Sequence, residues 1–327
     1  MDRREFMEFG ARAVALSSAS AWTGSMLREM LASGPSTTID ATAFNAMRRY
    51  ASTSFGKIAY VERGRGKAAL FLHGYPLNGF QWRGAIERLS NHRRCIAPDY
   101  MGMGYSEVSA TQSLAPEAHV EMIHELLDKL SVTTVDIVAN DSGGAIAQLF
   151  AAKYPDRVRT LLLTNCDTAI DSPPPSFLPI IKLAKAGQFA DKSLAVQLAH
   201  KELARSAKGI GGLAYTYPQN PSDEALEMYF APLVSSETRK RQVEAFAIAL
   251  ERNALAGIEP ALKQCRAPVR IVWGMGDTIF SHESPAWLDQ AFGNSKGVRR
   301  VESAKLFFPE ELPNLIAEEA KKLWGVG

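Results

Sequence analysis

A chain of 327 residues, 46% of them apolar and with a formal net charge of +2, is long enough for one large domain with an insertion or for two ordinary domains. That near-neutral charge excludes nucleic acid as a main partner, because phosphate binding needs a concentrated basic face. The arginine pairs present (Arg3–Arg4, Arg48–Arg49, Arg93–Arg94 and Arg299–Arg300) are short and scattered, and read as solvated surface charge. Three widely spaced cysteines, Cys95, Cys166 and Cys265, fit neither a disulfide framework nor a metal cluster and read as small buried hydrophobes.

Residues 1–35 stand apart from the rest. Arg3–Arg4, then Phe6 and Met7, then a weakly apolar stretch ending near Ala19-Ser20-Ala21, resemble a twin-arginine export signal with a small-residue cleavage site. Glu5, Glu8 and Arg12 keep the stretch polar, so an amphipathic helix lying on the domain is the alternative. The expected location follows that choice: the periplasm if the signal is used, otherwise the cytoplasm. No run approaches the ~20 apolar residues of a membrane span.

From about Ser54 strand-like and helix-like segments alternate, which predicts a mostly parallel sheet flanked by helices. Strands are expected at Lys57–Val61, Ala68–Leu72, Arg94–Pro98, Val135–Ala139, Thr160–Leu163, Val269–Trp273 and Val298–Val301, with helices at Glu117–Leu130 and Gly143–Lys153. Between Asp167 and about Leu250 the strand rhythm stops. Pro173-Pro174-Pro175 opens helical patterns at Phe177–Ala186, Leu194–Ala207, Asp223–Phe230 and Ser236–Leu250. The predicted organisation is a core in two parts (50–167 and 251–327) with a helical cap (168–250) over the carboxyl edge of the sheet, where ligands bind in such folds.

Four stretches at strand ends carry the chemistry: His73-Gly74-Tyr75-Pro76, Asp99–Ser106 with Gly102 and Gly104, Ala139-Asn140-Asp141-Ser142-Gly143-Gly144, and Trp273-Gly274-Met275-Gly276-Asp277. In that order, over about Ser54 to Trp324, they resemble the α/β-hydrolase superfamily. The turn after the Val135–Ala139 strand matches its nucleophile elbow, which needs small residues two positions either side of the nucleophile. Asp141 satisfies this through Ala139 and Gly143, whereas Ser142 would put Asn140 in a small-residue slot. An aspartate there resembles the branch of haloalkane dehalogenases, fluoroacetate dehalogenases and epoxide hydrolases.

The resemblance implies an Asp141 carboxylate that attacks a saturated carbon, leaving an alkyl ester that water hydrolyses. It implies oxyanion donors at the Ser142 and Tyr75 N–H groups. Asp277 falls where the family keeps its orienting acid, and Asp167 at the other place where this branch carries one. The family's histidine base has no counterpart: counting back from Pro313, its slot holds Leu306, and no histidine follows His282. Leucine takes no proton, so His282 and Lys305 are the candidate replacements, with no base at all as the third possibility. Trp82, Tyr215, Tyr217 and Tyr229 are expected to line the pocket beside Leu306, the lid tyrosines as proton donors if the substrate is an epoxide. His73 is expected to brace the oxyanion loop.

The expected function is a hydrolase resembling haloalkane dehalogenases, acting on a small apolar organic molecule with no cofactor or metal. An epoxide hydrolase is the first alternative and a ligand-binding or non-hydrolytic member of the fold the second. A serine esterase using Ser142 also stays open.

Overall fold

A computed structural model describes residues 37–327. The twin-arginine pattern of residues 1–35 lies outside the described residues. Strands Arg48–Thr53 (β1), Gly56–Arg63 (β2), Ala68–Leu72 (β3), Arg94–Pro98 (β4), Glu107–Val108 (β5), Val135–Asp141 (β6), Val158–Cys166 (β7), Val269–Gly274 (β8) and Ser295–Val301 (β9) form one sheet among the described residues. Its order is β1-β2-β4-β3-β6-β7-β8-β9, with β5 added to β2. β1, β2 and β4 pair antiparallel; from β4 through β3 to β9 every pairing is parallel.

β3 and β6 are buried along their whole length. Their near-continuous apolar runs are what a strand covered by helices on both faces requires. Helices Arg83–Leu89 (α1), Pro116–Lys129 (α2), Ser142–Lys153 (α3), Ser284–Ala291 (α4) and Pro313–Trp324 (α5) provide that cover. In α5, Leu315, Ile316, Ala320 and Trp324 face inward at helical spacing, and Gly325 ends the helix in the left-handed region at φ +64°.

In two of the arginine pairs one member is held by a buried carboxylate and is not simply solvated. Arg93 is 6% exposed: its Nε donates to the buried Asp136 carboxylate at 2.7 Å and its guanidinium lies 4.7 Å over the Trp324 ring. Arg299 reaches the buried Glu319 at 2.5 Å, and Arg270 holds the same carboxylate at 2.6 Å. Buried carboxylates on strands and helices recruit these side chains because an unpaired internal charge is costly.

Between β7 and β8 the chain makes a helical excursion. The expected helix at Leu194–Ala207 is broken there: a π-helical turn at Ala190–Ala195 runs into Val196–Ala199, His200 leaves helical geometry (φ −126°, ψ +79°), and Lys201–Ala204 follows. The excursion is tied to the core by polar contacts from its middle and later part. Arg239 donates to the carbonyls of Gly104 (2.6 Å) and Ser106 (2.9 Å). Glu311 accepts from the Thr216 hydroxyl at 2.8 Å, and Asn78 donates to the Met228 carbonyl at 2.7 Å.

Beneath it lies a buried ion pair, Arg83 Nη1 to Glu310 Oε1 at 2.6 Å, with Tyr215 Oη donating to Glu310 Oε2 at 2.6 Å. Replacing Arg83 by Met leaves the Glu310 charge buried without its cation. The variant is expected to lose about 3–5 kcal/mol of unfolding free energy. Urea unfolding followed by tryptophan fluorescence measures it, and a loss below ~1 kcal/mol would show that the pair is replaceable.

Candidate active site

The turn from β6 into α3 holds Asp141 at φ +56°, ψ −134°, a conformation that L side chains rarely adopt. Such strain costs of order 1–3 kcal/mol and persists only where the surroundings impose it. Here they do so through glycines. A Cβ on Gly143 would lie 2.5 Å from the Leu72 carbonyl oxygen, and one on Gly144 would overlap Cys166 Cβ. Gly74 is equally constrained, since a Cβ there would come within 2.6 Å of Asp141 Oδ2. The small residues of the motif are thus the space into which the strained turn fits.

Asp141 Oδ2 accepts the Tyr75 N–H at 2.7 Å, and the Ser142 N–H also bonds the carboxyl. The two backbone donors expected to form an oxyanion hole therefore converge on this one group. Burial pushes the Asp141 carboxyl well above the usual carboxylate range, Asp167 and Asp277 push it further, and the two N–H groups oppose them. His73 braces the loop that supplies Tyr75. Burial lowers its pKa to about 4, so the ring is neutral; Nε2 accepts from Tyr100 N–H (3.2 Å), which leaves Nδ1–H to donate to the Gly74 carbonyl (3.0 Å).

Asp141 opens onto a cavity of about 210 Å³ between the strand ends and the excursion. Its wall is apolar, with Phe177, Phe189, Phe230, Leu306 and Phe307, and Ser193, Gln197 and Lys208 also contribute to the lining. Asp167, one residue past β7, is the second carboxyl on this surface. Its Oδ1 accepts from the Ser172 hydroxyl at 3.0 Å, and burial together with Asp171 pushes its pKa up to about 7.

Several expected site residues lie elsewhere. Trp82 packs on Phe71 in the core (centroids 5.8 Å apart), the Tyr229 ring sits against Phe80 (6.0 Å), and Tyr215 spends its hydroxyl on Glu310. Neither these nor Tyr217 line the cavity. Lys305 adjoins Leu306 in sequence, but its Nζ donates to the Gly212 carbonyl at 2.6 Å. His282 Nε2 lies 3.1 Å from the Asp277 backbone oxygen and also stays off the cavity wall. Ser142 is off the wall as well, its hydroxyl buried beside the turn. Asp277 is buried behind the wall, where Oδ2 accepts from Asn165 Nδ2 (2.8 Å) and Oδ1 from Ile279 N–H (2.9 Å).

Asn140 organises these parts. Its Nδ2 faces Thr164 Oγ1 (2.9 Å), the Asn165 carbonyl (3.1 Å) and the Leu306 carbonyl (3.0 Å), while Oδ1 accepts from Gln81 Nε2 at 2.7 Å. Gln81 Oε1 in turn accepts the Gly74 N–H at 3.0 Å. One buried amide therefore joins the turn from β6 into α3, the loop carrying Gly74 and Tyr75, the end of β7 and the loop carrying residue 306. The sequence signal was a polar residue closing an apolar strand.

Residues 68–312 match the family model described as alpha/beta hydrolase fold. Haloalkane dehalogenase 2 of Mycobacterium tuberculosis is 27% identical over 288 residues, covering 82% of this chain and 92% of that protein. The soluble epoxide hydrolase of Corynebacterium sp. is 26% identical over 273 residues, covering 82% and 93%. The crystal structure of a haloalkane dehalogenase from Bradyrhizobium elkani superposes with a TM-score of 0.70 at 21% identity, covering 85% of this chain and 97% of that one.

Proposed function

The chain belongs to the alpha/beta hydrolase fold family, and we propose that within it the protein hydrolyses a small apolar electrophile through an alkyl ester on Asp141. The carrying observation is the convergence of the Tyr75 and Ser142 N–H groups on a strained carboxyl that opens into an apolar cavity. A carboxylate so held displaces a leaving group from a saturated carbon, and the same N–H groups then face the carbonyl oxygen of the ester. Relatives that are haloalkane dehalogenases and epoxide hydrolases support this reading at modest identity. The cavity volume suits a molecule of about ten heavy atoms or fewer, given ~30 Å³ for one water in the liquid.

The haloalkane reading follows from the elbow and from the first of these relatives. The epoxide reading is favoured by one observation, the protonatable Asp167 on the cavity wall, because an opening epoxide needs a proton and a departing halide does not. Intact-protein mass spectrometry during incubation with a panel of primary alkyl halides and terminal epoxides tests the proposal. The expected result is a mass gain equal to the transferred group, mapped to the peptide containing Asp141, or release of alcohol or diol. A panel that yields neither adduct nor product would overturn it.

A further inference from the structure

β7 runs parallel to β6 with Cys166 opposite Asp141 in register, so Asp167 is the next residue along the neighbouring strand end. Both carboxyls line the one apolar cavity, and Leu306 lines it too, where the resemblance places a base. Among the described residues neither Asp141 nor Asp167 has an ion-pair partner, and the charges acting on each are the other carboxylates. Nothing in the fold explains a second unpaired carboxyl on that wall; a neutral side chain would accept the Ser172 hydroxyl equally well.

We propose, resting on the Asp141 ester reading, that Asp167 is the proton carrier of the reaction: as an acid it protonates a leaving oxygen, and as a base it activates the water that clears the ester. Two carboxyls in a dry cavity do not ionise together, so the resting pair holds one proton. The Asp141 carboxylate attacks an epoxide carbon. The carbon–oxygen bond breaks and its oxygen takes the Asp167 proton, leaving a hydroxyalkyl ester and an Asp167 carboxylate. Asp167 then takes a proton from water as the hydroxide adds to the ester carbonyl, whose oxygen is held by the Tyr75 and Ser142 N–H groups. Collapse of that adduct breaks the ester bond, the departing alkoxide takes its proton from Asp167, and a diol leaves. Asp141 is now the protonated member, and passing the proton to Asp167 restores the resting pair. Epoxide plus water gives diol with no net proton released, and the single proton of the pair serves both half-reactions.

The acid–base range fits. Burial, then Asp171, push Asp167 up to about 7, near the pH at which one group serves both as donor and acceptor. The groups facing the pair are Asp171 and Ser172 on the loop after β7, Tyr75 on the loop after β3, Tyr100 after β4, Asp277 from the turn after β8, Cys166 and, on the cavity wall, Lys208. Burial raises both carboxyls, and once the pair takes a second proton Asp141 loses its nucleophilic form, so kcat/KM for an epoxide is expected to fall as the pH is lowered.

The test uses Asp167→Asn with two substrates of equal chain length, a terminal epoxide and a primary alkyl bromide. Bromide needs no proton to leave, so the variant is expected to alkylate Asp141 with the bromide at a rate close to wild type and to accumulate the ester, seen as a persistent mass gain. Epoxide opening is expected to fall by about 10²-fold, and ester clearance likewise, since general acid–base groups contribute typically 10²–10⁴-fold. Asp167→Glu, which keeps the carboxyl, is expected to retain part of both steps. If Asp167→Asn opens the epoxide and clears the bromide-derived ester at wild-type rates, Asp167 is not the proton carrier. If the variant, with an unchanged melting curve, fails equally on both substrates, its role is to position Asp141 and the proposal is again overturned. If wild type itself forms neither adduct nor product, the Asp141 reading falls and takes this one with it.

Discussion

Asp141→Asn is expected to lower turnover by about 10⁴-fold or more and at the same time to raise the melting temperature at neutral pH. The catalytic loss follows from chemistry, since an amide oxygen is no substitute for a carboxylate that must form and release an ester, and losses of this size or greater accompany removal of a nucleophile elsewhere. The gain in stability follows from the raised pKa. Burial, Asp167 and Asp277 hold Asp141 above the carboxylate range of the unfolded chain, so its contribution to stability is full at acid pH and declines as the pH rises toward the folded value. Asparagine escapes that decline while keeping the Tyr75 N–H bonded. The two melting curves are therefore expected to coincide near pH 4 and to separate, with the variant higher, as pH rises above it. Scanning calorimetry at several pH values, beside product assays on the same preparations, reads both effects. A variant that turns over normally removes Asp141 from the chemistry, and one that melts lower at pH 8 contradicts its electrostatic setting.

Leu306→His is the second large effect, this time a gain. Leu306 is 3% exposed and lines the cavity, while its backbone carbonyl is held by Asn140. The Gly276 N–H donates to the Ala304 carbonyl at 2.8 Å, so the turn carrying Asp277 packs against the loop carrying residue 306. A histidine in that position has an acid behind it and the elbow before it, the arrangement in which imidazole activates water. Clearance of a bromide-derived ester, followed by mass after excess halide is removed, is expected to become about 10²-fold faster. It is also expected to become less dependent on Asp167. An unchanged clearance rate would mean that the slot no longer faces the ester.

The motifs at the strand ends were legible because they are geometric requirements: Gly143, Gly144 and Gly74 are fixed by the space around them, whatever the rest of the chain does. Strand positions were legible for the same kind of reason, β4 at Arg94–Pro98 and β3 at Ala68–Leu72 being apolar runs bounded by turns. The edge strand β1 was not legible, because its burial is mixed and Arg48–Arg49 read as surface; Arg48 in fact lies 3.4 Å over the Tyr105 ring. Aromatic placement was equally hidden. Whether Trp82 or Tyr229 faces a cavity or the core depends on tertiary packing that hydrophobicity does not encode, and both are in the core. His282 and Lys305 were candidates by proximity along the chain, yet backbone carbonyls hold their polar atoms. Asp167 was legible as a residue, but its place beside Asp141 with no ion-pair partner among the described residues is visible only once the strands are side by side.

The amide of Asn140 has a consequence for how such a site can change over time. It grips residue 306 through the main chain, so the loop is held in place without reference to the side chain it displays. The same amide fixes the elbow's other neighbours, which leaves position 306 as a socket whose occupant can be exchanged without rebuilding the frame. Frame and displayed side chain are thereby held by separate contacts.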